Sequence, residues 1–178
     1  MSHSQAQNSD LPYAKIPEAT EKYTAGTVVS RMLDGLGFRY YWATEGLRPE
    51  DLSYKPNETA RTTEQTLDHV LGLTQVIVNS ALGVPNGSPQ PEMTFEEKRK
   101  KTLKNIEQAS QIFRQADDLS KFTIVFKRGE QTSEFPFWNQ LNGPIGDALW
   151  HVGQVVSFRR SSGNPFPKGV SVFTGTKN

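Results

Sequence analysis

Apolar residues recur at intervals of three and four along four separate stretches of this chain, and that periodicity predicts helices. The stretches cover residues 20–45, 62–82, 94–116 and 137–162. A helix with an apolar stripe buries that stripe against another element. Four such helices in 178 residues therefore predict a single all-α domain built as a four-helix bundle. The second stretch is apolar on most sides, which predicts a central position for it.

Two of the predicted helices begin with a capping-box pattern. Thr62 is followed three residues later by Gln65, and Thr94 is followed three residues later by Glu97. In this pattern each side chain satisfies a backbone N–H of the other residue at the helix start. The two patterns therefore predict where the second and third helices begin.

Pro144 is expected to kink the last helix near its beginning.

The chain between the third and fourth helices has a different pattern. Phe122, Ile124 and Phe126 alternate with polar or short residues, and a turn at Gly129 follows them. Alternation with a period of two, followed by a turn, predicts a short β-hairpin. The predicted organisation is a flexible N-terminal arm over residues 1–18, the bundle domain over 19–166, and a C-terminal coil over 167–178.

Charge and composition exclude several classes of function. The formal net charge is +1, which gives no electrostatic basis for binding nucleic acid or an anionic membrane surface. No apolar run approaches the roughly 20 residues that span a bilayer, and no secretory pattern opens the chain. A cytoplasmic protein is therefore expected. The chain has no cysteine, so any transition-metal site must use histidine and carboxylate ligands.

Three histidines are present, and two of them lie in predicted helices. His69 belongs to the second helix and His151 to the fourth, while His3 lies in the arm. Asp147 precedes His151 by four residues, so the two side chains share one helix face. With His69 from a facing helix they would form a two-nitrogen, one-oxygen ligand set, as metal sites in bundles often do. The spacing of Asp147 and His151 is also that of an ordinary hydrogen-bonded Asp–His pair. Nothing in the local sequence places His69 next to Asp147 and His151.

Two segments resemble known sequences. Residues 60–73, ARTTEQTLDHVLGL, are similar to the second helix of the DinB/YfiT-like family of metal-dependent proteins, and residues 142–165 are similar to its last helix. The matching positions in the last helix are His151, Gly153, Gln154, Arg159, Arg160, Gly163 and Pro165. The family usually has a histidine where this chain has Asp147. The resemblance implies either that Asp147 replaces that histidine as a ligand or that the site is degenerate and Asp147 only orients His151.

The resemblance also implies a function. It points to one divalent transition metal, Zn or Ni first and Fe or Mn next, in a thiol-dependent transferase that acts on small molecules with a low-molecular-weight thiol. A metal-dependent hydrolase, a non-catalytic binding or stress protein, and an interaction module without metal remain alternatives. A homodimer is compatible with the bundle. Gln154, three residues after His151, is a candidate to hydrogen-bond a ligand or a bound molecule.

Overall fold

The computed structural model describes residues 11–89 and 91–178, and most of these residues are helical. Four helices are long: α1 (Ala25–Thr44), α3 (Thr63–Leu82), α4 (Phe95–Arg114) and α6 (Gly146–Ser161). Two are short: α2 (Pro49–Ser53) and α5 (Trp138–Gln140). The all-α prediction is confirmed at this level. No helix in the described part of the chain has the length and apolarity needed to cross a membrane.

Both predicted capping boxes are present. The Thr62 side chain accepts from the backbone N–H of Gln65 at 3.1 Å, and the Gln65 side chain accepts from the N–H of Thr62 at 2.9 Å. Thr94 and Glu97 make the same exchange at 3.3 and 2.8 Å. These reciprocal bonds satisfy donors that the first helical turn leaves open. They fix the starts of α3 and α4 where the sequence predicted them.

The predicted hairpin is also confirmed. Strands β1 (Ile124–Arg128) and β2 (Gln131–Phe135) pair antiparallel between α4 and α5, with Ile124 opposite Phe135. The C-terminal residues contain a second, smaller pair, β3 (Val170–Ser171) with β4 (Thr176–Lys177).

Pro144 widens the last helix. Residues Leu141–Ile145 form a π-helical turn in which the N–H of Gly146 donates to the carbonyl of Leu141, five residues earlier. Proline lacks an N–H and crowds the preceding helical turn. A π turn at that point keeps α5 and α6 in one helical run.

The N-terminal residues that the structure describes are packed. Tyr13 and Ile16 are buried, and the Tyr13 hydroxyl donates to Oδ1 of Asp34 on α1 at 3.1 Å. Burial, followed by the Asp34 charge, raises the pKa of Tyr13. The predicted arm covers residues 1–18, of which 1–10, including His3, lie outside the described residues. Within 11–18 the packed side chains differ from the loose arm that was expected.

Helices α3 and α6 pack against each other and run in opposite directions. The N–H of Thr63, at the start of α3, donates to the carbonyl of Tyr54 at 2.9 Å. The Tyr54 ring lies 5.9 Å from the ring of Phe158, near the end of α6. Six residues further along α3, His69 faces Asp147 near the start of α6. Helix α1 packs against both α4 and α6, and α4 also packs against α3.

Candidate metal centre

The antiparallel packing of α3 and α6 brings His69, Asp147 and His151 together. One ligand atom from each residue lies within 4.8 Å of the other two. Nε2 of His69 is 3.0 Å from Oδ2 of Asp147, and Nε2 of His151 is 3.3 Å from Oδ1 of the same carboxylate. The two imidazole rings meet edge to face with centroids 4.7 Å apart. This is the one group of this kind in residues 11–89 and 91–178.

Each helix presents these ligands at the border between its buried and exposed faces. On α6, Ala148, Val152 and Val155 are buried in the core. Asp147 and His151 lie one residue before Ala148 and Val152, so they turn about 100° away from that apolar face. On α3, His69 precedes the buried Val70 in the same way. The core contacts of the two helices therefore set the positions of all three ligands.

The separations between the candidate ligand atoms can be compared with those around a single ion. Ligand atoms at about 2.0–2.2 Å from a tetrahedral ion lie roughly 3.4 Å from one another. Nε2 of His69 lies 3.0 Å from Oδ2 of Asp147, and Nε2 of His151 lies 3.3 Å from Oδ1, the other oxygen of that carboxylate. With one ligand atom taken from each residue, the three atoms lie within 4.8 Å of one another. The set of two imidazole nitrogens and one carboxylate suits Zn, Ni, Mn and Fe(II), and it contains no soft sulfur ligand. His69, Asp147 and His151 can hold one metal ion.

Gln154 fixes the orientation of the His151 ring. Its Oε1 atom lies 2.7 Å from Nδ1 of His151. Because a carbonyl oxygen accepts, Nδ1 is the donor of this bond, and in the neutral tautomer with its hydrogen on Nδ1 the lone pair belongs to Nε2, the nitrogen nearest Asp147. Metal-binding histidines commonly donate their other N–H to a fixed acceptor in this manner. The sequence named Gln154 as a candidate to hydrogen-bond a metal ligand or a bound molecule, and its side chain contacts the candidate ligand His151.

The group is open to solvent on one side. The side chains of His69 and Asp147 are 34% and 37% exposed, whereas that of His151 is 15% exposed. A metal enclosed for structural purposes has four protein ligands, while three ligands and access to solvent leave a position for an exchangeable molecule. The arrangement is thus suited to binding a small ligand beside the protein donors.

Several aromatic side chains divide between the core and the surface. Tyr40, Tyr41 and Trp42 are buried in the core, and burial raises the pKa of Tyr40 to about 12, so its hydroxyl stays protonated at neutral pH. Trp138 and Trp150 are largely exposed.

The paired arginines at the end of α6 also differ from each other. Arg159 is buried and donates to the carbonyls of Trp42 and Ala43, both at 3.0 Å, at the end of α1. It therefore caps a neighbouring helix, whereas Arg160 is exposed.

Sequence reasoning missed one feature of the surroundings. Gly72 lies three residues after His69, on the exposed side of α3, and a Cβ atom added to it would meet no atom within 4 Å. A glycine inside a long helix costs about 1 kcal/mol relative to alanine. A helix-weakening glycine one turn after the candidate ligand His69 was the signal in the sequence that could have drawn attention to Gly72.

Comparisons with protein-family models, with curated proteins and with solved structures each found no significant match to this chain.

Proposed function

We propose that this chain binds one divalent transition metal through His69, Asp147 and His151 and uses it in chemistry on small molecules. The observation that carries the proposal is the convergence of three ligand atoms from two separate helices within 4.8 Å. The orientation of His151 by Gln154 supports it, because an acceptor at Nδ1 leaves Nε2 available as a ligand.

We further propose that the fold is a four-helix bundle of the DinB/YfiT-like type. Four long helices with one hairpin between α4 and α6 follow the order expected from the resemblance of residues 60–73 and 142–165. Asp147 then stands in the position of the family's usual histidine. Its Oδ2 is within hydrogen-bonding distance of His69 and its Oδ1 lies 3.3 Å from Nε2 of His151, so it meets both imidazoles, which favours direct ligation over a role confined to His151.

The reaction class we propose is thiol-dependent transfer to a small electrophile, with Zn²⁺ or Ni²⁺ as the metal. A divalent metal with an open position lowers the pKa of a thiol or water bound there toward neutrality. The chain has no cysteine, so the thiol would come from a low-molecular-weight cosubstrate. The residues of the chain hold the metal, orient His151 and leave the exposed side of Asp147 and His69 free for that cosubstrate.

Metal content is the decisive measurement. Protein treated with a chelator is incubated separately with Zn²⁺, Ni²⁺, Mn²⁺ and Fe²⁺ and then desalted. We expect close to one equivalent with Zn²⁺ or Ni²⁺, and no uptake by the His151→Ala variant, whose helical circular dichroism remains unchanged. Uptake below about a tenth of an equivalent with every metal would contradict the proposal.

Thiol chemistry is tested on the loaded protein. With Co²⁺ as a coloured substitute, a small thiol should give a sulfur-to-metal absorption band that is absent from the His69→Ala variant. Metal uptake without any thiol band would leave the metal site standing and reject the thiol-dependent reaction.

A further inference from the structure

A cavity of about 740 Å³ lies beside the candidate metal centre, on the other side of α3 from α6. Helix α3 contributes Asp68, Leu71 and Gly72 to one wall of this open cavity, and the first turn of α4 lines the other side. Asp68 is the residue before His69, and Gly72 lies one turn after it. Residues three apart on a helix lie about 5–6 Å from each other at their β-carbons, so the cavity begins one turn from a candidate ligand.

Gly72 leaves open space on the surface of α3 between the cavity and the side that carries His69. The space above it is empty to at least 4 Å, and its position on α3 lies between the directions of His69 and Asp68. Any larger side chain at this position would stand between the imidazole of His69 and the cavity. A ligand held in the cavity can therefore extend one end over Gly72 to the exposed side of the ligand group.

The cavity wall carries more carboxylates than ammonium groups. Asp68, Glu92 and Glu97 line it together with the single ammonium group of Lys98. Lys98 is already held by Asp68 at 2.7 Å and by Glu64 at 3.5 Å, and the hydrogen bond from Asp68 raises the pKa of Lys98. The lysine charge is thus matched by these two partners, and the excess at the wall is negative.

Apart from Thr94 and Gly72, the remaining lining residues have apolar side chains. Leu71 is buried, and Met93 and Pro91 cover the cavity from the loop before α4. A cavity with an apolar lining and a negative excess suits a ligand with a short hydrocarbon chain and a positively charged end.

We propose that this cavity, defined by Asp68, Leu71, Gly72, residues 91–94, Glu97 and Lys98, binds the ammonium-bearing part of the substrate whose reactive end reaches the metal centre over Gly72. This inference deepens the function proposed above. The position of the substrate's reactive end rests on the proposed metal site. The amine preference of the cavity rests on the wall charges alone.

The cavity is tested first on metal-free protein. Amide spectra of ¹⁵N-labelled protein at low salt are recorded with hexylammonium and, as the matched probe of opposite charge, with hexanoate. We expect shifts concentrated at residues 68–72 and 92–98 with hexylammonium and none there with hexanoate. Equal responses to both probes, or no shifts in these residues, would overturn the amine assignment.

The passage is tested on Co²⁺-loaded protein with three hydroxamates, whose binding changes the cobalt absorption. The 6-aminohexanohydroxamate is expected to bind about fivefold more tightly than hexanohydroxamate. Gly72→Leu should remove that preference and weaken both long compounds, and acetohydroxamate, which is too short to cross residue 72, should bind as before.

Gly153→Leu is the matched control for this substitution. Gly153 is an exposed helical glycine with equally open space, and it lies two residues after His151, on the opposite side of α6 from that ring. The Gly153→Leu substitution should leave the affinities for all three hydroxamates unchanged.

If Gly72→Leu also changes none of these affinities, the passage is absent and the inference fails even though the metal is bound. If the wild-type protein takes up no Co²⁺, the proposed function fails, and the titration of metal-free protein still decides the preference of the cavity.

Discussion

Nε2 of His69 lies 3.0 Å from Oδ2 of Asp147, although 78 residues separate them in the chain. The pair joins two antiparallel helices at the edge of the core, where both side chains are about one-third exposed. His151 reaches the same carboxylate from one turn further along α6. Asp147 is thus the residue that both imidazoles share, and its substitution is the sharpest test of the site.

Asp147→Ala should lower the affinity for Zn²⁺ at least about 100-fold, because losing a direct ligand costs more than the 10–100-fold typical of a supporting residue. Competition with a chromophoric chelator measures the dissociation constant. Asp147→His should recover most of the affinity by supplying a third imidazole. Asp68→Asn is the control, because it removes an exposed carboxylate next to His69 in sequence without touching the ligand group, and it should leave the affinity unchanged. An Asp147→Ala protein that binds Zn²⁺ as tightly as the wild type would exclude ligation by Asp147.

Gln154→Ala should lower metal affinity about 10–100-fold without changing the number of ions bound. The variant loses the acceptor at 2.7 Å from Nδ1, so the ring of His151 is free to rotate and to place its hydrogen on either nitrogen. Gln154→Glu keeps an acceptor oxygen and should restore the affinity. The same chelator competition measures both variants. Loss of affinity in both variants together would mean that Gln154 acts through packing and not through its carbonyl.

Local pattern predicted the helices well and the site in part. Capping boxes and periodicity depend only on neighbours along the chain. Residue spacing therefore predicted where α3 and α4 begin, and it also predicted that Asp147 and His151 share one face of α6. The approach of His69 to Asp147 depends on how α3 packs against α6, which no local spacing encodes. The resemblance of two segments supplied that pairing as a hypothesis, and the geometry is consistent with it.

Three other features of the structure were not predicted, because they too depend on contacts that no local pattern encodes. Tyr13 and Ile16 are isolated apolar residues in a polar segment, and a single pair carries no periodicity, so their packing was not predicted. Pro144 was expected to kink the helix, and the choice of a π turn depends on which carbonyls remain available nearby. The cavity beside Gly72 depends on the loop around Met93, whose path has no repeating pattern.

Arg159→Ala should lower the free energy of unfolding by about 3 kcal/mol, because it leaves buried carbonyls of Trp42 and Ala43 without a donor and removes a large buried side chain. Arg159→Lys keeps the charge but loses the planar fork, whose Nη1 donates to both carbonyls while Nε and Nη2 donate to Asn164, so an intermediate loss is expected. Urea denaturation followed by circular dichroism measures the change. The exposed neighbour Arg160 provides the control, since Arg160→Ala should stay within about 0.5 kcal/mol of the wild type. Equal effects at the two positions would refute the capping role.

Asp51 connects α2 to the end of α6. The side chain of Arg48 donates to both of its carboxylate oxygens, at 3.0 and 2.9 Å, and Ser162 and Asn164 each donate at 2.6 Å. These bonds, that of Arg48 foremost, hold the pKa of Asp51 well below its ordinary range. The ionised form is therefore favoured in the folded protein relative to the unfolded chain.

The consequence is a pH-dependent contribution to stability. With a pKa lowered by folding, Asp51 stabilises the protein fully above the ordinary aspartate pKa of about 4, and that contribution is lost as the pH falls below it. Asp51→Asn should thus cost about 2 kcal/mol at pH 7, and the difference from the wild type should shrink as the pH is lowered toward 2. Urea denaturation at a series of pH values measures both proteins. Glu50→Gln, at an exposed position of the same helix, is the control and should give only a small change at pH 7. A wild-type advantage over Asp51→Asn that stays constant from pH 7 to pH 2 would show that its source is packing, because only the ionised carboxylate can give a contribution that disappears on protonation.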